Sequence, residues 1–263
     1  MNVCLFELKA QGKGAVLWAA SLVGVLLAFL LETYPLFQED TQDILRMLSG
    51  FPPQFAAAFG MDVSSLFSLG GFYGFAFSYI GLIGAIMAAA VALASFSREK
   101  RARCTDFLLT KPIRRRKIFA AKLAAGAVIL LAANALYAAC CIPILRHGGV
   151  PGDKAALACL SLLLTQAVFY AMAVLFATCS RRVRSVSGTA IGFGFAGFIL
   201  SALVGILKED AVRFAAPLKY FDPADVFAAG GYDAPYAATG AAIILACLLL
   251  SAVLFCRKDA RAV

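Results

Sequence analysis

Apolar residues run along this chain in six long blocks, at 15–34, 72–96, 123–145, 155–178, 186–207 and 236–256. Inside each block they follow one another without the period-two alternation of a half-buried strand. The blocks therefore read as helices, not barrel strands. A helix rising about 1.5 Å per residue needs roughly 20 residues to cross roughly 30 Å of hydrocarbon. Every block is at least 20 residues long. The pattern predicts an all-α polytopic membrane protein with six transmembrane helices, organised as a single transmembrane domain over residues 1–263. Lys9 and Lys13 precede the first block, as basic residues precede a signal peptide. That block is longer than a signal core and runs into Leu31-Glu32-Thr33-Tyr34 without a small-x-small cleavage pattern. It reads as an uncleaved span.

The polar intervals are uneven. Residues 35–71 contain Pro52-Pro53 and two stretches with helical spacing, one around Ile44, Leu45 and Leu48 and one from Phe55 to Phe59. These predict amphipathic helices lying at a membrane interface. Residues 208–235 are broken by Pro217, Pro223, Gly230-Gly231 and Pro235.

Composition agrees with the pattern. Hydrophobic residues make up 62% of the chain and charged ones 15%, against about 25% charged in an average soluble domain. That polar stock is too small to cover a soluble fold. The net charge is +9, which in a soluble chain would point to nucleic acid. Here its distribution decides its meaning. Segments 1–14, 97–122, 179–185 and 257–263 hold 18 Lys and Arg, and the alternate segments hold 6. The basic excess places both termini and the 97–122 loop in the cytoplasm. The partners expected from charge are membrane lipids, not nucleic acid.

Candidate catalytic chemistry is sparse. There is no GxxxxGK[ST] phosphate loop, and Gly12-Lys13-Gly14 lacks the spacing and the hydroxyl. HExxH and GxSxG are missing too, and within the six blocks the one acidic residue is Glu32. Ion-coupled pumps and membrane proteases carry ionisable groups at mid-membrane. No catalytic residue and no metal site is assigned. The lone His147 reads as a solvated loop residue, and the eight cysteines read as small packing residues without zinc-ligand spacing. A disulfide from Cys140 or Cys141 to Cys159 has no positive support.

The densest polar feature lies after the second block. Nine Lys and Arg fall between Arg98 and Lys117. A bare inner-leaflet anchor would need nothing else. This loop also holds an apolar triplet, Phe107-Leu108-Leu109, and then Pro112, which biases Lys111 away from helix and suits the start of a new one. The pattern is helix, break, helix, with an apolar knob fit to dock in a groove of another protein.

Glu99, Thr105-Asp106-Phe107-Leu108-Leu109-Thr110-Lys111-Pro112-Ile113-Arg114-Arg115, Ile118 and Lys122 together resemble the cytoplasmic loop of the ABC transporter type-2 permease family. Cys104 stands where that family usually has Gly. Three further places agree. Phe6-Glu7-Leu8-Lys9 resembles the family's short amphipathic N-terminal helix. Pro217 to Asp225, followed by Gly231-Tyr232-Asp233, resembles its outer segment before the last span, and Arg257-Lys258-Asp259 resembles its ending.

The resemblance implies a six-helix permease subunit of an exporter in the bacterial plasma membrane. It would pair with a second permease copy or paralogue and sit on separate cytoplasmic ATPase subunits that bind the ATP, with no cofactor of its own. A coupling helix is placed at 98–111. Glu99, Thr105, Asp106, Phe107, Leu108, Leu109 and Pro112 are the coupling-loop residues. Arg114, Arg115, Arg116 and Lys117 anchor the third span at the inner leaflet, and Lys122 snorkels its ammonium to the interface.

Gly188 and Gly192 stand four apart on the fifth span, with Gly194 and Gly197 beyond them. Gly81, Gly84 and Ala88 form a similar row on the second. Such rows let helices approach closely, within one subunit or across a dimer seam. In similar exporters the first and fifth spans contribute to that seam. Asn134 and Gln166 are expected to hydrogen-bond between helices, the alternative being to line a translocation path. Competing readings are a membrane scaffold or sensor recruiting a partner through its basic loop, and an intramembrane lipid enzyme. An importer permease would need an EAA element, which is not found.

Overall fold

A computed structural model describes residues 3–50, 52, 65–98, 101, 115–180, 183–207 and 209–257. Among them the secondary structure is helical, and six helices are long and apolar enough to cross a membrane. The first span is built from Val3–Leu27, a π-helical stretch Ala28–Thr33 and Tyr34–Glu39. The others are Leu69–Phe96, Arg115–His147, Gly152–Cys179, Val186–Leu207 and Ala234–Arg257. The fifth has the predicted bounds. The third is longer than its apolar block, because Arg115–Lys117 already form helix and Pro143 is accommodated inside it.

The N-terminal segment differs from expectation. Phe6–Lys9 is no separate short helix but the first turns of the span itself. The break falls instead before Pro35, which has no N–H to donate and whose ring crowds the turn before it. The backbone widens there. The Tyr34 N–H bonds to the Phe29 carbonyl, and the Thr33 hydroxyl donates to the Ala28 carbonyl at 3.0 Å, each five residues back.

The second and fourth spans form the centre of the bundle, and the first, fifth and sixth lie at its rim. Lipid is as apolar as leucine, so hydrophobicity does not decide which helix is central. Close approach between small residues does. A Cβ on Gly84 would meet Leu162 and Gln166 of the fourth span, and one on Gly126 would overlap the Tyr170 hydroxyl. Gly194 and Gly197 receive Ile86 and Phe169 in the same way. Rim residues such as Leu245, Leu249 and Val253 point outward.

One aromatic cluster, Phe29, Phe72, Phe75 and Tyr79, joins the first and second spans, with Phe29 stacked on Tyr79 at 5.6 Å. A second, Phe96, Phe119 and Phe255, joins the end of the second span, the start of the third and the end of the sixth. These ends therefore share one face of the bundle, the terminal face.

At the far face, Thr41–Ser49 is a helix, as its spacing predicted. The second stretch, around Phe55–Phe59, lies outside the described residues. Residues 209–233 fold back onto the bundle as short helices, Asp210–Arg213, Pro217–Lys219 and Pro223–Ala229. Asp222 caps the last of these by accepting from the Ala224 N–H, and Gly230 ends it with φ 78°, a left-handed conformation open to glycine. Leu218 reaches Gly81 and Gly197, filling the space their missing side chains leave.

Candidate coupling site at the terminal face

The site is built around one carboxylate. Glu7 and Gln11, one helical turn apart, share a face of the first helix. Both are buried, and the Gln11 amide lies 3.4 Å from Glu7 Oε2. The third span brings Lys122 to the same point. Its Nζ donates to Glu7 Oε1 at 3.2 Å and to the Ser95 carbonyl at 2.6 Å, and lies 5.9 Å from the Phe96 ring centroid. Side chains of Glu7 and Lys122 are each only 1% exposed.

Arg98 follows the last turn of the second span. Its Nη2 meets Glu7 Oε2 at 3.3 Å, and its guanidinium covers Phe6 at 5.7 Å. One carboxylate thus ties the first helix, the end of the second span and the start of the third. Each buried charge has an opposite charge and a further partner, which is the condition under which such a pair is tolerated. Removing one member would strand the other, at a cost of about 3–5 kcal/mol.

The expected snorkelling of Lys122 gives way to a buried ion pair: its ammonium is held inside the bundle by Glu7 and the Ser95 carbonyl. Glu32 remains the one acidic residue within the six apolar blocks, but the first helix is longer than its block. The first helix extends back past Glu7, so this carboxylate lies in the same continuous helix, near its terminal end. Glu32 itself is exposed.

Of the predicted coupling residues, Glu99, Thr105, Asp106, Phe107, Leu108, Leu109 and Pro112 lie outside the described residues, as does Arg114. Arg101 is described and helical, its N–H bonded to the Ser97 carbonyl at 3.0 Å. Arg115 is half-buried, and Arg116 and Lys117 are exposed on the first turn of the third span. Sequence reasoning noted Glu7 and Lys122 separately but did not pair them. The available signal was an acidic residue in the N-terminal segment and a lysine at the start of the third apolar block.

Elsewhere the polar groups hold the bundle together. Asn134 donates to Gln166 Oε1 at 2.5 Å, as expected. Tyr73 and Tyr137 hydroxyls meet at 2.9 Å, and Tyr73 lies 3.3 Å from the Ala158 carbonyl. Gly188 and Gly192 are exposed, and a Cβ on Gly192 would meet nothing. His147 is exposed. Among the described residues no three His, Cys, Asp or Glu side chains gather to hold a metal ion, and the described cysteines are free thiols.

At the far face, the Arg213 guanidinium pairs with Asp225 and, at 3.0 Å, with Asp233, and lies 4.1 Å from the Tyr236 ring centroid. Lys219 pairs with Asp222 at 2.7 Å. Lys154 and Tyr232 tie the segment to the fourth span through the Phe227 and Leu157 carbonyls, at 2.7 and 2.6 Å.

A family model described as ABC-2 family transporter protein matches residues 2–260. No curated protein matches the chain.

Proposed function

The chain belongs to the ABC-2 family of transporter proteins, and from that premise we propose that it is the permease subunit of an ATP-driven exporter. The membrane component follows from the family and from six apolar helices. The finer reading adds three things. The terminal face is cytoplasmic, a reading supported by the 18-to-6 division of basic residues. The loop between Arg98 and Arg115 docks on a separate ATPase subunit. The chain works as a dimer in the plasma membrane of a bacterium, exporting its substrate.

The observation that carries this reading is the anchoring of both arms of that loop. Arg98 before it and Lys122 after it close on the same buried carboxylate. A loop fixed at both ends to the helices it joins passes a push from a partner into the bundle. A loop serving only as an inner-leaflet anchor has no need of such fixing.

The test is co-expression of the chain with the genes adjacent to its own, followed by affinity purification and mass spectrometry. The expected result is a co-purifying Walker-type ATPase whose ATP hydrolysis is retained in the complex. Replacing Phe107, Leu108 and Leu109 by Ser is expected to leave membrane insertion intact and to abolish capture of the ATPase. A chain that purifies without an ATPase would speak for the scaffold reading. A triple variant that captures the ATPase as well as the wild type would displace the docking site from 107–109.

A further inference from the structure

We propose that Glu7 is the positioning residue of a rigid joint, through which the first helix and the adjoining ends of the second and third spans move as one body. The proposal rests on the permease reading and names how motion would leave the loop.

Three observations point to it. The first is convergence. Arg98 lies immediately before the loop, Lys122 lies within two turns of the helix that follows it, and both meet the two oxygens of one side chain on a third helix. Force delivered to Arg98 or to the start of the third span reaches Glu7 from either side. The second is stiffness. Lys122 is fixed by a carboxylate and a carbonyl together, and with 1% exposure it has no water to exchange them for. Hydrogen-bonded ion pairs are more directional than apolar packing. A register that must survive repeated load gains from that directionality, whereas stability alone would be served as well by apolar side chains.

The third observation is where the rigidity stops. The first span is continuous α-helix from Val3 to Leu27 and changes to π-helix at Ala28–Thr33. Such wide turns mark places where a helix departs from its regular ladder. Motion received at Glu7 would be carried along Val3–Leu27 and taken up at Ala28–Thr33.

The full chain, co-purified with its ATPase and placed in lipid nanodiscs, provides the test. Spin labels are introduced on an unnatural amino acid, which leaves the native cysteines in place. One pair is at Lys9 and Lys117, across the joint, and a reference pair is at Lys117 and Arg184. Labelled chain is diluted with unlabelled chain, and distances are measured without nucleotide and after trapping with ATP and vanadate.

The expected result is that trapping shifts the reference pair by ~1–2 Å or more, the scale of helix displacements in switching proteins, while the pair across the joint stays fixed. In E7Q/K122Q, which removes the two fully buried charges together, the pair across the joint is expected to shift or broaden on trapping with the ATPase still bound. A wild-type complex whose cross-joint distance changes on trapping overturns the proposal. So does an E7Q/K122Q complex that behaves as the wild type, since the cluster would then serve the fold alone. Failure to recover any ATPase, or a reference pair that does not move, would overturn the permease reading and the joint with it.

Discussion

At the scale of single residues, the interior of this bundle is set by a few polar atoms whose partners come from other spans. Tyr73 shows the asymmetry best. Its hydroxyl meets both the Tyr137 hydroxyl and the Ala158 carbonyl, while Tyr137 has Tyr73 and the weakly bonding Cys141 thiol. Tyr73→Phe removes both contacts and leaves the buried Tyr137 hydroxyl with only the Cys141 thiol, a weak partner. Tyr137→Phe leaves Tyr73 free to donate to Ala158. A buried group left unsatisfied costs about 1–3 kcal/mol, although hydrogen bonds between membrane helices average roughly 0.6 kcal/mol. Thermal unfolding in detergent is expected to rank Tyr73→Phe below Tyr137→Phe by about 1 kcal/mol. Equal midpoints would mean that the Ala158 contact contributes nothing. Residue identity alone pointed to Asn134 and Gln166 as interhelical partners, because an amide in an apolar run must find one. It did not show that Lys122 would find Glu7, because snorkelling to the interface would satisfy the same ammonium.

At the scale of elements, the 209–233 segment is held by charges more than by its short helices. Burial disfavours the ionised form of Asp222, but the Lys219 ammonium, the Ala224 N–H and Arg213 outweigh it and hold its pKa below the ordinary carboxylate value. Asp225 is the opposite case: burial raises its pKa, and its bond to Arg213 only partly offsets that. The two aspartates therefore respond to acid in opposite senses. The stabilisation from Asp222 is fully present above the unfolded value, near 3.9, and is lost as pH falls through its lower folded value. The cost of ionising Asp225 is present at neutral pH and disappears as pH falls from its raised folded value toward 3.9. Hydrogen-exchange protection across 210–233, corrected for the intrinsic pH dependence of amide exchange, is expected to rise slightly on mild acidification and to fall only below the ordinary carboxylate range. Monotonic loss of protection from neutral pH downward would contradict this balance. The proline and glycine breaks of this segment were legible in advance. Its docking onto Gly81 and Gly197 through Leu218 was not, since nothing local marks which glycine a leucine will cover.

At the scale of the whole molecule, the two glycine rows have different fates. Gly81, Gly84, Gly194 and Gly197 are covered by side chains of the same chain, while Gly188 and Gly192 face outward on the fifth span. The first four pack within the chain; the exposure of Gly188 and Gly192 makes them the pair to test for a seam. Gly194→Leu is expected to disrupt the protomer itself, because Ile86 and Leu82 already occupy the space. Gly192→Leu is expected to leave the protomer folded and to lower the dimer fraction, as read by native mass spectrometry. If Gly192→Leu leaves the dimer fraction unchanged, the seam lies on another face.

Span number, approximate span limits and the two-sided division of basic charge were all determined by the sequence itself. Each is a sum over neighbouring residues: twenty consecutive apolar side chains make a span wherever they occur, and a count of lysines and arginines needs no partner. Tertiary structure alone decided which spans are central, which glycines are covered and where the buried charges go. Those outcomes depend on pairs far apart in the chain. Glu7 and Lys122 are separated by 115 positions, and the short polar side chain of Glu7 is indistinguishable in sequence from one that faces water. Only the packing of three helices buries it and brings Lys122 and Arg98 to its two oxygens.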